Sequence, residues 1–318
     1  MKAAIVRGAG QSPVYDDFDE PVAGEGEVRL AVTAASVSHL VKVRAAGTHY
    51  SAANQFPFVP GVDGVGRRDD GSRVYFFLPR APFGSMAERT VVAAAQCIAV
   101  PDRLDDASAA AVANPGMSSW AALAERAKLK AGETVLVNGA TGTSGRLAVQ
   151  IAKVLGAKKV IATGRNPASL QALAALGADV TISLLQDDAS LERQFRELFA
   201  DGVDVVLDYI YGKSAETLLV AAAKAGPDGV PIRFVQIGAL SGTTMALPAA
   251  VLRSSSIVMM GSGLGSVSKE GLLTAISGVF AAAASKGFDI AFKPVPLSEV
   301  ETAWQADDST NRTVFTLG

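Results

Sequence analysis

The stretch from Thr134 to Gln150 constrains this chain most: Thr-Val-Leu-Val-Asn-Gly-Ala-Thr-Gly-Thr-Ser-Gly-Arg-Leu-Ala-Val-Gln. An apolar β-type run ends in Gly139, Gly142 and Gly145 at three-residue spacing and passes directly into a helix. A buried strand that turns so tightly into a helix belongs to a parallel α/β sheet. Glycine serves there in three ways: it makes the turn, lets the backbone approach a pyrophosphate, and lets the helix pack close to the strand. Together with Thr141, Thr143 and Ser144, the three glycines form a candidate phosphate cradle at the positive end of the helix. A purely structural turn is the competing reading, but the strand before and the helix after favour a dinucleotide.

The next strand ends Ile161-Ala-Thr-Gly-Arg-Asn166, about 20 residues beyond the last glycine, where a site for NAD places a carboxylate on the ribose hydroxyls. Gly164 removes that carboxylate, and Arg165 supplies a guanidinium suited to a 2′-phosphate. Gly164, Arg165 and Asn166 therefore point to NADPH; the alternative is that Arg165 is a solvated residue at a helix start.

Apolar strands alternate with helices from Glu133 onward, with strands expected at Thr134–Asn138, Lys159–Thr163, Asp204–Asp208, Arg233–Ile237 and Ile257–Met260. Gly145–Leu155 reads as a crossover helix, Asp105–Lys128 as alanine-rich and helical, and Leu272–Lys286 as a further helix. The first hundred residues look different. Short β-type runs at Lys2–Val6, Val28–Ala34, Ser72–Phe77 and Glu88–Val92 are separated by Pro21, Gly24, Gly26, Pro57, Pro60, Gly64, Gly66 and Gly71, read as turn residues. Short strands are expected again at Phe292–Pro296 and Thr313–Thr316. The fold class is α/β, a mostly-β domain with a doubly wound parallel-sheet domain, and 318 residues suffice for about two domains.

Composition excludes other classes. Basic and acidic side chains number 29 and 31 with no long run of either sign, so no surface for nucleic acid is advertised. The longest uncharged stretch, Phe234–Leu252, is broken by Gly238, Ser241, Gly242 and Pro248, and reads as strand, turn and a further segment rather than a membrane span. A single cysteine, Cys97, forms no internal disulfide or multi-cysteine zinc site and suits a reducing compartment, the cytoplasm. The apolar run Ala3–Val6 ends at Arg7, too short for a secretory leader.

With these residues in view, nearly the whole chain resembles a zinc-independent medium-chain dehydrogenase/reductase of the quinone oxidoreductase group. The resemblance rests on Met1-Lys-Ala-Ala, Gly24-Glu-Gly-Glu-Val-Arg-Leu-Ala-Val, Phe58-Val-Pro-Gly-Val-Asp-Gly-Val-Gly, Ser72-Arg-Val-Tyr, Gly84-Ser-Met-Ala-Glu, the Gly139 motif and Val235-Gln-Ile-Gly. It implies a GroES-like catalytic domain of residues 1–117 and 264–318 and a Rossmann NADPH-binding domain of residues 118–263, with the active site in the cleft. It also implies a homodimer joined through strands like Ile257–Met260. Where the family's alcohol dehydrogenases carry zinc ligands, the resemblance places Ser38, Val62 and Asn114; the four-cysteine lobe is missing, so metal-free chemistry is implied.

Without a Lewis acid a simple ketone is a hard substrate, whereas a quinone or α,β-unsaturated carbonyl spreads the arriving charge onto an oxygen that a few donors stabilise. Hydride transfer from NADPH to a small-molecule quinone or enone is the expected activity. An enoyl-thioester or alkenal reductase of the same family is the nearest alternative, and a non-catalytic NADPH-binding redox sensor is the rival from another class. By resemblance, Ser38, Asn114, Ser118, Gly238 and the turn from Gly261 and Ser262 to Ser266 meet the nicotinamide end; their competing role is in caps and turns. Tyr50 is a candidate hydrogen-bond donor to substrate, and His39 a candidate proton shuttle, with His49 behind it. If the segment is extended, Ser38 and His39 face opposite ways. Tyr209 and Tyr211 either narrow the cofactor cleft or pack beneath the adenosine. Cys97, with no basic neighbour in sequence, reads as buried packing, and Asp69-Asp70-Gly71 as a hairpin turn.

Overall fold

A computed structural model describes residues 1–48, 55–306 and 311–318. The chain divides into two compact units, one of residues Met1–Asn114 and Ile276–Gly318, the other of Pro115–Ala275. In chain order the first stretch contributes β1 (Lys2–Ile5), β2 (Val14–Asp17), β3 (Glu27–Ser36), α1 (His39–Ala45), β4 (Asp63–Arg67), β5 (Arg73–Phe77), β6 (Arg89–Ala93), β7 (Cys97–Ala99) and α2 (Asp106–Trp120). There follow β8 (Thr134–Asn138), α3 (Thr143–Val154), β9 (Lys159–Gly164), α4 (Pro167–Ala172), β10 (Val180–Ser183), α5 (Asp188–Asp201), β11 (Val205–Asp208), α6 (Gly212–Ala225), β12 (Ile232–Gln236), α7 (Ala249–Arg253) and β13 (Ile257–Gly261). The chain closes with α8 (Lys269–Lys286), β14 (Phe292–Pro296), α9 (Val300–Ala303) and β15 (Arg312–Thr316). The unit boundaries fall inside α2 and α8, close to the breaks after 117 and 263 that the resemblance implies.

The first unit is built on a seven-stranded sheet in the order β14-β15-β3-β4-β5-β7, with β6 also on β3; only β14 and β15 run parallel. Its second sheet is the β1-β2 pair. The ten-residue β3 spans most of this sheet, and its alternation buries Leu30, Val32 and Ala34. Gly64 and Gly66, expected as turn residues, lie within β4. Side chains there would collide with the carbonyls of Ala34 and Ala31 on β3, where the register shifts between Val32 and Ala34. Glycine here marks close packing of two strands in a bulge, not a loop. Asp69-Asp70-Gly71 does form the β4–β5 turn, closed by Arg68 and Ser72.

The second unit is a six-stranded, wholly parallel sheet ordered β10-β9-β8-β11-β12-β13. From β8 the chain winds outward through β9 to β10, then returns to β11 on the other side. That is the doubly wound order with its reversal between β8 and β11. All five residues of β8 are buried, as an apolar strand covered on both faces requires. In α3, Leu147, Ala148, Ile151 and Ala152 recur on one buried face while Lys153 stays toward solvent. Strand β10 at this sheet's edge alternates apolar and polar residues with Ile182 buried, but over four residues only, so its signal in sequence is short. The stretch Phe234–Leu252 resolves into the end of β12, a turn and the start of α7. No helix among the described residues is long and apolar enough to cross a membrane.

Candidate functional site

A crevice for ligands forms in such sheets at the carboxyl ends of the strands where the order reverses. Here those ends are Asn138 on β8 and Asp208 on β11, partners in the parallel register. Both are fully buried, and Asn138 Nδ2 donates to Asp208 Oδ1 over 2.9 Å. Asn138 Oδ1 accepts from Thr163 Oγ1 at 2.7 Å and from Ser214 Oγ at 3.1 Å. Thr163 Oγ1 in turn accepts from the Gly139 N–H at 3.1 Å. Asp208 Oδ1 also takes the backbone N–H groups of Ile210 and Tyr211 at 3.2 and 3.1 Å. One polar network thus ties the ends of β9, β8 and β11 to the glycine loop and to the loop before α6. Burial pushes the Asp208 carboxyl up, against the pull of Tyr211, Asn138 and Ile210.

The loop itself matches what a pyrophosphate needs. Gly142 is the extended residue before α3, and no side chain caps that helix. A side chain at Gly145 would collide with the Gly139 carbonyl and with Ala140, so the first turn of α3 lies directly on the end of β8. Thr141 and Ser144 are half-buried and Thr143 is buried. Gly164 is buried against the Thr141 side chain, leaving no space for the carboxylate of an NAD-type site. Arg165 follows it, exposed, and Asn166 caps α4 by accepting from the Ser169 N–H at 2.9 Å. These residues fit a dinucleotide: a helix N-terminus without a side-chain cap, glycine where backbone meets backbone, and a cation beyond the second strand.

Tyr209 packs inside the second unit. It is buried, its hydroxyl is 2.8 Å from Ser119 Oγ, and burial pushes the phenol up to about 12. Ser119 Oγ also lies within hydrogen-bonding distance of the Pro115 and Ser144 carbonyls, joining α2, α3 and the β11 loop. Tyr211, half-buried, holds φ at 56° just before α6, a conformation side chains rarely adopt; the Asp208 carboxylate holds its N–H. Gly238 packs its backbone on Tyr209, and the Ser262 N–H donates to the Gln236 carbonyl. The carbonyl of Gly261 accepts from Arg126 Nε at 2.8 Å, on the π-helical turn Ala121–Arg126 that continues α2. Ser118 Oγ donates to the Pro115 carbonyl.

In the first unit, Ser38 and His39 are not on a strand. Ser38 is buried at the start of α1 and accepts from the Val41 N–H at 3.2 Å, while His39, the first helical residue, is exposed. Strand alternation therefore does not govern which of them faces a ligand. Asn114 is buried, and its Nδ2 has no hydrogen-bond partner among the described residues. Val62 is a buried apolar residue. Tyr50 and His49 lie outside the described residues. Cys97 is half-buried rather than enclosed, with Arg68 beside it; burial nonetheless raises the thiol above its ordinary range. Among the described residues no three His, Cys, Asp or Glu side chains are grouped to hold a metal ion.

Sequence reading did not single out Asn138, Thr163, Ser119, Asp208 or Arg126. One signal was available: two apolar strands, Thr134–Asn138 and Val205–Asp208, each end in a single amide or carboxylate.

Residues 145–282 match the family model described as zinc-binding dehydrogenase. A probable NADPH-dependent quinone reductase of Emericella nidulans is 29% identical, over 97% of this chain and 98% of its own length. The quinone oxidoreductase from Thermus thermophilus, solved also in complex with NADPH, superposes with a TM-score of 0.82 at 28% identity over the whole of both chains. A trans-enoyl reductase of Aspergillus terreus is 30% identical over 51% of this chain and 42% of its own. A largely antiparallel unit together with a doubly wound unit bearing a glycine loop at its reversal defines the class, and these likenesses support a medium-chain dehydrogenase/reductase. Within it, the likeness is to the quinone reductase group. The matched segment does not include Ser38, Val62 or Asn114, the positions that resemblance sets against zinc ligands.

Proposed function

We propose that this protein is an NADPH-dependent reductase that delivers hydride to a quinone or α,β-unsaturated carbonyl without a metal. The observation that carries the reading is the Thr141–Gly164 contact with Arg165 beyond it: no carboxylate stands where a ribose 2′-hydroxyl would bind, and a guanidinium is at hand. NADPH when bound supplies the hydride. The chain's own work is to bind and orient: the α3 N-terminus and glycine loop hold the pyrophosphate, and Arg165 holds the 2′-phosphate. Asn114 Nδ2, buried without a partner among the described residues, is a donor free to take a carbonyl oxygen, with Ser38 and Ser118 as further polar groups at the nicotinamide end. Tyr50 is proposed to touch the substrate, and His39 is the other candidate for moving a proton. The replacement of zinc-ligand types by Ser38, Val62 and Asn114 supports the metal-free part of the reading.

An enoyl-thioester or alkenal substrate is the second reading, favoured by the likeness to the trans-enoyl reductase. Pairing of β13, an edge strand with Val258 46% exposed, with the same strand of a second copy is the proposed homodimer contact. A cytoplasmic setting is proposed from the single thiol.

The test is a panel of quinones, alkenals and enoyl thioesters, each incubated with NADPH or NADH while the loss of reduced nicotinamide absorbance is followed. Turnover of quinones with NADPH preferred over NADH is expected. Turnover of alkenals or thioesters alone selects the second reading; tight NADPH binding with no turnover at all overturns both.

A further inference from the structure

Within the first unit, α1 and the chain around β4 and β5 enclose a cavity of about 60 Å³. Its walls are apolar, formed chiefly by Phe58, Pro60, Val62, Leu78, Pro82 and Phe83. Arg44 on α1 lines it, and among the described lining residues Gln55 is the other polar side chain and none is acidic. Arg44 is half-buried, and its guanidinium makes no hydrogen bond or ion pair with any described residue. Loss of water around the guanidinium lowers its pKa, with no carboxylate among the described residues to offset the cost. A cation kept in an apolar recess without a counter-charge is stabilised by whatever anion enters.

We infer that Arg44 makes this cavity a receptor for a carboxylate carried by the substrate. The planar guanidinium matches a carboxylate through two parallel hydrogen bonds, and the apolar walls suit the body to which the acid is attached. The cavity shares α1 with Ser38, and six residues along a helix rise about 9 Å. Val62, one of the positions that the resemblance sets against a zinc ligand, also lines the cavity. This rests on the reductase reading and adds a preference: acid-bearing quinones or enones over their neutral counterparts.

The experiment uses the full chain with a naphthoquinone bearing a short carboxylate arm and with its methyl ester. Binding of each is measured by calorimetry, and turnover is measured with NADPH. The wild-type protein should favour the acid by about tenfold or more in both Kd and kcat/KM. Arg44→Gln should bring the acid-to-ester ratio toward one, and Arg44→Lys should keep part of it. Equal binding of acid and ester by the wild-type protein, which needs no variant, overturns the inference; so does a preference that survives in Arg44→Gln. If the acid binds in preference yet no quinone or enone is turned over, the receptor stands and the reductase reading falls.

Discussion

The side chain of Thr141 fills the space that a Cβ at position 164 would occupy. One residue belongs to the glycine loop after β8 and the other ends β9, so their contact couples the proposed phosphate cradle to the position proposed to set cofactor choice. Gly164→Ala should therefore be an overpacking substitution in a buried site, costing about 1–3 kcal/mol of stability. Thermal unfolding of the variant measures it. The double change Gly164→Ala with Thr141→Ser, which removes the crowding methyl, should recover part of the loss; no recovery would separate the two positions.

Arg165→Ala should weaken NADPH binding by about tenfold or more, because a charge-assisted contact to the 2′-phosphate is lost. NADH carries no such phosphate, so its affinity should move far less. Fluorescence titration of the two reduced cofactors gives the ratio directly, and an unchanged ratio removes Arg165 from the site.

Asn138→Leu should cost about 2–4 kcal/mol, because Asp208 and Thr163 keep their burial and lose their shared partner. NADPH binding should weaken in the same variant, since Thr163 holds the Gly139 N–H and Asp208 holds the loop at Tyr211. Denaturant unfolding together with cofactor titration tests both parts; a destabilised variant that binds normally would confine the network to a structural role.

Asp63 predicts a pH dependence of stability. It is fully buried, accepts from the Tyr75 hydroxyl at 2.9 Å and lies near Arg312, yet burial pushes its pKa from the ordinary 3.8 to about 7. The folded chain thus holds a proton that the unfolded chain has released, and this group's contribution falls as pH rises through that window. Above about 7 both states are ionised and the contribution levels off. Asp63→Asn, which keeps an acceptor for Tyr75, should flatten the dependence between pH 4 and 7 when unfolding is followed across that range.

Much of the second unit is legible in the sequence because its signals are local. The run from Thr134 through Gly145 specifies strand, turn and helix within a few residues; β9 and β11 read as apolar runs because both faces of the parallel sheet are covered there, and β12 and β13 keep apolar runs toward its edge. The first unit is less legible. The two glycines of β4 look like punctuation until β3 is seen bulging against them, and Ser38 looks like part of an extended segment until its hydroxyl is found on the Val41 N–H. Cys97 has no basic neighbour in sequence, but the turn between β4 and β5 brings Arg68 to it.

The sequence alone determined the doubly wound unit, its glycine loop and the loss of a carboxylate at Gly164, since each is a matter of residue type at short spacing. Tertiary structure decided how those parts are held and what surrounds them. Asn138, Thr163, Asp208 and Ser214 become one network only when β9, β8 and β11 lie side by side. Arg44 becomes a half-buried cation without a counter-charge among the described residues only when residues from Phe58 to Phe83 close around it. The physical reason is range: turns and helix starts are set by neighbours in the chain, whereas burial and the pairing of charges depend on residues that sequence distance does not bring together.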